Sequence, residues 1–182
     1  DVFPGVVTWS SAQSLGALGA MAILVGNVVA LRQARLKLLI AYSTVAQIGY
    51  LFLMFPLVTG LAAANVDSAG AMSGGMLQAI SHATAKAAMF LAAGLIYATL
   101  GHDRIADLAG AARRVPLSVL AFALGGVALT GALPSGAYVA KKLLLGAADG
   151  SGQWLWALVL QAGGMFTTGY VLLVLSHALR AP

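Results

Sequence analysis

Three side chains able to handle protons or hydrogen bonds stand in register within the stretch Gln78-Ala79-Ile80-Ser81-His82-Ala83-Thr84-Ala85-Lys86. Spacings of i, i+4 and i+8 place Gln78, His82 and Lys86 on one stripe of a helix. The chemistry open to such a stripe is proton transfer. Desolvation makes an ammonium a readier proton donor, and imidazole exchanges protons near neutral pH without help. A lysine and a histidine one turn apart are close enough to share a proton through water.

The setting gives the stripe its weight. Lys86 falls 13 residues into an apolar segment of about 28, and a lysine at the centre of a membrane helix costs about 2.5–3.5 kcal/mol to insert. Intramembrane ionisable residues are functional by default. Two blander placements also account for it: a backbone carbonyl at a helix contact pins the ammonium, or the residue sits at the interface.

Other candidates are Lys37, at the start of a second apolar segment, and the adjacent pair Lys141 and Lys142. Neighbours on a helix point about 100° apart, so at most one of that pair faces inward. The residues alone favour Lys142 as the one reaching polar surroundings or a neighbouring helix, with Lys141 readable as an interfacial, snorkelling lysine, although spacing alone does not decide. Tyr42, Ser43, Thr44 and Gln47 form a polar patch that interhelical hydrogen bonding explains as readily as transport does. His102 and His177 read as solvated or interfacial. Trp154 and Trp156 read as an interfacial aromatic belt.

Positioning these groups takes membrane-spanning helices, and the composition demands them. The chain is 60% apolar and 8% charged, whereas a soluble domain is about 45–50% apolar and about 25% charged. Crossing a bilayer core of about 30 Å takes about 20 apolar helical residues. Five segments meet that length, at about 7–31, 38–61, 73–100, 117–148 and 154–179. The fourth is too long for one span, at about 33 residues and 1.5 Å each. Its middle reads Thr130-Gly131-Ala132-Leu133-Pro134-Ser135-Gly136, where proline removes a backbone donor and glycine relaxes the chain. The expectation is one broken helix, about 117–131 and 135–148, the break at Pro134 lining an interior path. The fold class is therefore all-α and integral to a membrane, as a single transmembrane domain.

Basic residues fall in alternate gaps: Arg32, Arg35 and Lys37, then Arg104, Arg113 and Arg114, then Arg180. Asp1, Asp67 and Asp149 fall on the other side, which puts the N-terminus outside and the C-terminus inside. These charges read as orientation signals rather than a nucleic-acid surface, since they form no stripe and carry no aromatic platform. Without cysteine there is no thiolate site or thiol nucleophile, and without glutamate a paired-carboxylate mechanism has no material. No dinucleotide fingerprint, phosphate loop, zinc spacing or hydrolase elbow is present, so no cofactor and no metal is expected. The acidic start and the missing initiator methionine read as a piece of a longer protein with no signal peptide.

Three stretches resemble one family. Arg35-Leu36-Lys37-Leu38-Leu39-Ile40-Ala41-Tyr42-Ser43-Thr44-Val45-Ala46-Gln47-Ile48-Gly49-Tyr50 is similar to the K-x-x-L-A-Y-S-x-x-x-Q-x-G signature of antiporter-like, proton-translocating membrane subunits. His82-Ala83-Thr84-Ala85-Lys86-Ala87-Ala88-Met89-Phe90-Leu91-Ala92-Ala93-Gly94 resembles that family's H-A-x-x-K-x-x-x-F-L-x-x-G. Leu129 through Lys141 resembles its broken helix, which ends in an aromatic residue and a lysine. The family includes large membrane subunits of respiratory complex I, Mrp-type sodium/proton antiporter subunits and membrane subunits of energy-converting hydrogenases.

The resemblance implies two inverted five-helix repeats in about fourteen helices, this chain being the second repeat. On that mapping Lys86 is the central lysine of a half-channel, His82 its neighbour in a water-linked relay and Lys141, rather than Lys142, the residue at the outer exit. Lys37 matches the motif lysine, and Gln78, Tyr42, Ser43, Gln47 and Pro134 support the path. Gln78 stands where some members carry a second histidine. The first repeat, with its glutamate and lysine, lies outside these residues. The implied partners are lipid, other integral membrane subunits, protons and possible sodium bound elsewhere in a complex, with no nucleic acid, in a bacterial inner membrane. Any oxidoreductase chemistry would belong to those partner subunits. Two other readings stand beside this one: a non-conducting membrane scaffold, and a secondary transporter of a cation or small solute, which the lack of an intramembrane carboxylate disfavours for sodium.

Overall fold

A computed structural model describes residues 8–64 and 66–181. Asp1, used in the charge count, and the expected start at residue 7 lie outside the described residues. Helix α1 runs Trp9–Leu31, α2 Leu36–Ala63 and α3 Ala69–Leu100. A 3-10 turn, Ile105–Asp107, and a one-turn helix α4, Ala111–Arg114, lead into α5, Pro116–Thr130. Then come α6, Gly136–Gly150, and α7, Trp154–Ala178. The described residues contain no strand, only an isolated bridge between Arg35 and Arg104.

Four of these helices, α1, α2, α3 and α7, are long and apolar enough to cross a membrane, and α5 is a shorter apolar helix. The fourth expected span, the broken one, is thus shared between α5 and α6. Helix α3 begins earlier than hydropathy indicates, because hydropathy does not register the polar turn that starts it. The Asp67 carboxylate accepts from the Ala69 amide at 2.9 Å, so α3 starts at Ala69 rather than at 73. Pro116 opens α5 at its first turn, where its missing N–H costs nothing.

Lipid is as apolar as leucine, so packing between these helices rests on close approach. A Cβ placed on Gly19 of α1 would come within 2.6 Å of the Gly49 carbonyl oxygen of α2. One on Gly26 would meet the Ala46 amide nitrogen at 2.7 Å. Both obstacles are backbone, which cannot swing aside. Helix α2 carries Pro56 in its interior, and the Pro56 carbonyl accepts from Gln153 Nε2 at 2.8 Å. Gln153 Oε1 accepts from Gln13 Nε2 and Trp156 Nε1, each at 2.9 Å, so one side chain ties α1, α2 and α7 together. Trp156 is therefore turned inward, 7% exposed, contrary to its expected place in an interfacial belt. Trp154 and Trp9 do face outward.

At the opposite end the two basic loops are stitched. The Leu36 amide donates to the Asp103 carbonyl at 2.8 Å, and the Ile105 amide to the Ala34 carbonyl at 2.9 Å. The Gly110 amide donates to the Arg180 carbonyl at 2.9 Å, bringing the C-terminal end of α7 to the same side.

Gly19→Ala should destabilise the fold by about 1–3 kcal/mol, the range for forcing extra volume into a packed contact. Gly94→Ala, where a Cβ meets nothing within 4 Å, should stay within about 0.5 kcal/mol of the parent. Denaturant titration in detergent checks both, and equal stability of the two variants would mean that α1 and α2 do not touch at Gly19.

Candidate functional site

Lys86 stands near the middle of the 32-residue α3 and is 5% exposed. Its ammonium crosses to α2, donating to the Ile40 carbonyl oxygen at 3.1 Å and to the Ser43 hydroxyl. Ile40 is well suited to receive it. The hydroxyls of Ser43 and Thr44 also donate to the Ile40 carbonyl, each at 2.9 Å, so this one oxygen gathers three side chains. The contact is the carbonyl pinning that one of the blander readings anticipated. It is also made entirely by neutral acceptors. Among the described residues the only ion pair is Arg104 with Asp107, at 3.8 Å on the surface.

His82 lies one turn earlier on α3, half-buried, and its Nδ1 is buried without a protein hydrogen-bond partner among the described residues. Another turn back, Gln78 is 4% exposed and donates from Nε2 to Gln47 Oε1 at 2.8 Å. Gln47 is itself buried, and its Nε2 donates to the Thr167 hydroxyl at 3.3 Å. Thr167 donates in turn to the Gly163 carbonyl at 2.8 Å. The stripe of α3 thus meets Ser43 and Gln47 of α2, which stand four residues apart, and Gln47 carries the chain on to α7.

The break between α5 and α6 supplies the remaining cation. Helix α5 ends at Gly131, which adopts φ 78°, a left-handed conformation that glycine takes without strain. Ser135 caps α6, its hydroxyl accepting from the Tyr138 amide at 3.1 Å. Pro134 is exposed in the connection, not turned into the core. Lys141, half-buried on the first turns of α6, reaches back across Gly131, towards the end of α5 where free carbonyls favour a cation. Its ammonium rests against Gly164 of α7, at a point where an added Cβ would also lie 3.6 Å from the Thr130 carbonyl oxygen. A cleft lined by Gln47, Tyr50, Gln78, Thr130, Gly131 and Lys141 joins this region to the glutamine pair. Lys142, which the residues alone favoured, is exposed, while Lys141 is half-buried. Outside Lys141 opens a larger cavity, about 610 Å³, bordered by Tyr138, Lys142, Asp149 and Gln161.

Two expected residues stand apart from this cluster. Tyr42 is 40% exposed, on the outer face of α2, because its neighbour Ser43 takes the inward position. Lys37 places its ammonium 4.2 Å from the centre of the Tyr97 ring, a cation–π contact between the near ends of α2 and α3. Three buried polar residues were passed over by sequence reasoning: Asn27, Thr167 and Tyr170, each 0% exposed. Helix α7 contains the signal. Gly163, Gly164, Thr167, Tyr170 and Val171 fall at helical spacing on one face, and two adjacent glycines mark where that face is approached.

The arrangement is a buried, mostly neutral hydrogen-bonded seam running between two lysines, and no group of three or more His, Cys, Asp or Glu able to hold a metal ion occurs among the described residues. Comparison with known proteins gives it a context. The NADH-quinone oxidoreductase subunit N of Desulforudis audaxviator (strain MP104C) is 34% identical over 167 residues, 91% of this chain and 31% of the relative. The F(420)H(2) dehydrogenase subunit M of Methanosarcina mazei is 36% identical over 131 residues, 72% of this chain and 25% of the relative. Among solved structures, a chain of the Mrp complex from Dietzia sp. DQ12-45-1b superposes with a TM-score of 0.83 and 27% identity, covering 94% of this chain and 30% of its own. The chain therefore spans 25–31% of the length of these proteins. The sequence model for the transmembrane region of NADH:quinone oxidoreductase and Mrp antiporter subunits matches residues 1–167, and the chain, a multi-pass membrane protein, belongs to that family.

Proposed function

We propose that this chain carries protons as part of a multisubunit membrane complex, along a half-channel in which Lys86, His82 and Lys141 are the titrating groups. The observation that carries the reading is the environment of Lys86. A buried lysine that served only to join helices would be better held by a carboxylate, or replaced by a neutral donor. Here neutral oxygens hold it, so no counter-ion fixes its charge and protonation is free to change. Like charges in a low dielectric disfavour one another, so Lys86 and Lys141 would be protonated alternately. His82, one turn from Lys86, offers a third station, and Lys141 faces the open cavity that an exit requires.

The likeness to oxidoreductase and Mrp subunits supports partner subunits that drive the movement, and a bacterial inner membrane as the setting. The five-part order of α1, α2, α3, the broken α5 and α6, and α7 fits the second of two inverted repeats. One specific observation favours the scaffold reading, namely that the Ile40 carbonyl ties Lys86 to α2.

Lys86→Ala in the reconstituted complex separates the two. As a carrier, its loss should lower proton flux on the order of 10²-fold, the low end of what a positioned proton-transfer group contributes, while the complex still assembles. Undiminished proton flux in an assembled Lys86→Ala complex would overturn the carrier role of Lys86.

The positive-inside orientation has its own test. These 182 residues contain no cysteine, so single cysteines at the exposed Ala64 and Ala109 add labels unique within them, read against the parent protein. In intact cells a membrane-impermeant maleimide should label the Ala64→Cys variant, and should label the Ala109→Cys variant only after permeabilisation. The reverse pattern would invert the topology.

A further inference from the structure

The stitch between the two basic loops sets a pair of arginines face to face. Arg35 and Arg104 form an isolated antiparallel bridge, flanked by the Leu36 amide on the Asp103 carbonyl and the Ile105 amide on the Ala34 carbonyl. That pattern makes them a non-hydrogen-bonded pair, the closer of the two kinds, with Cα atoms about 4.5 Å apart and both side chains leaving on one face. Like charges directly opposite one another destabilise such a pair. The chain does little to relieve it. Arg104 reaches Asp107 only through Nε at 3.8 Å, with both side chains exposed, and Arg35 has no ion-pair partner among the described residues. Asp103, the other carboxylate of these loops, is buried and joins no ion pair there. With Arg32 and Lys37 the two loops hold four cations against two carboxylates.

The position of the pair names the missing anion. Helix α1 has 23 residues, roughly 35 Å at 1.5 Å each, enough to cross a hydrocarbon core of about 30 Å. Arg35 comes four residues after Leu31, the last of α1, and Arg104 four residues after Leu100, the last of α3. Both therefore stand at headgroup depth. Lys37 over the Tyr97 ring marks the same boundary, since aromatic rings and basic side chains collect where lipid meets water. Leu38, on the first turn of α2, and Leu95, near the end of α3, are large exposed apolar side chains that acyl chains can cover. Helix α2 starts at the bridge with no side-chain cap and no acid in its first turn. Its amide dipoles thus add positive field where the guanidiniums already repel.

We propose that Arg35 and Arg104 clamp the phosphate of an anionic membrane phospholipid at the basic end of the bundle. Guanidiniums suit this oxyanion, because each offers parallel N–H donors to two of its oxygens. A phosphate between the arginines replaces their mutual repulsion with attraction to a shared centre, so the lipid stabilises the bridge that binds it. The excess of cations selects a headgroup of net negative charge over a zwitterionic one. Since the bridge joins the loop between α1 and α2 to the loop after α3, one lipid there ties three helices at one end. Neither the proton path nor the side of the membrane on which the basic loops lie enters this assignment.

The test places the full-length subunit, in its complex, in phosphatidylcholine vesicles containing a trace of phosphatidylglycerol with a photoreactive headgroup. A phosphatidylcholine carrying the same group is the comparison, and peptide mass spectrometry reads the crosslinks. In the parent, the segments 32–37 and 101–107 should be labelled by the phosphatidylglycerol probe in preference to the phosphatidylcholine one. Arg35→Gln and Arg104→Gln should each lower that labelling about fivefold, the fold-change equal to about 1 kcal/mol per basic residue near an anionic surface. Arg114→Gln, on α4, removes the same charge away from the bridge and should lower it less than about twofold. The Arg35→Lys/Arg104→Lys double keeps the charges without the forks and should fall between parent and glutamine variants, which also reads the site if the latter do not assemble. Equal labelling by the two probes, or parental labelling in both glutamine variants and the lysine double, would overturn the clamp. So would an equal loss in Arg114→Gln, which would mean a diffuse basic surface. Loss of labelling on adding inorganic phosphate, but not chloride of equal ionic strength, would make the pair a free-phosphate site and overturn the lipid assignment. Release of a neighbouring subunit from the glutamine variants, with no lipid label in the parent, would mark the arginines as a protein contact instead.

Discussion

An ammonium buried between helices, in a bundle whose interior offers it no carboxylate, has to be solvated by the protein's neutral oxygens. The structure meets that constraint at Ile40. Its carbonyl receives Lys86 together with two hydroxyls from its own helix, and Ser43 presents its oxygen to the same ammonium. For this to work α3 must lie against α2 along the turn from Ile40 to Gln47. The small residues of the neighbourhood allow it: Ala46 and Gly49 take α1 on the far side of α2, and Ala85 shares the buried face of α3 with Lys86. Helix α5 then closes over that face through Gly125, where a Cβ would meet Met89 at 2.8 Å and the Ala85 carbonyl at 3.1 Å. The core of the bundle is arranged around a group that the membrane alone would reject.

The remaining polar side chains follow the same logic of internal satisfaction, since lipid offers no hydrogen bonds. Gln78, Gln47 and Thr167 form a directed chain ending on a backbone carbonyl, so each donor has a destination. Gln153 does the equivalent at the acidic end, using both faces of one amide to join three helices. The departures from full satisfaction, His82 Nδ1 and the Tyr170 hydroxyl, fall along the lysine seam. Asn27 Oδ1 and His102 Nδ1 are left without partners elsewhere, on α1 and in the basic loop.

Much of this was legible in the sequence, for identifiable reasons. The break at Pro134 and the stripe of Gln78, His82 and Lys86 follow from local rules, helical period and proline chemistry, which need no knowledge of partners, whereas Ser43 and Gln47 are legible only as members of a wider polar patch. Tyr42 was grouped with its neighbours because it is polar and adjacent, but adjacency on a helix means a different face, and it points outward. The contribution of α7 was not visible, because Thr167 looks like an ordinary residue of an apolar span until Gln47 is set opposite it. The early start of α3 was missed because Asp67 acts through its cap and not through hydropathy. Trp156 was misplaced because a tryptophan near a helix end is as suited to an amide acceptor as to an interface.

The helix break has a mechanical consequence. Lys86 is fixed between two continuous rods, whereas Lys141 rides on a short segment joined to α5 through the left-handed Gly131 and the exposed residues that follow it. A rod that is cut at its midpoint turns about the cut. The cut segment is nevertheless held along α3, where a Cβ on Gly74 would meet Leu143 at 3.0 Å and the Ala140 carbonyl oxygen at 3.2 Å. The two lysines thus sit on a broken rod and the unbroken rod it leans on, so whatever turns α6 about the cut also bears on the helix that carries Lys86.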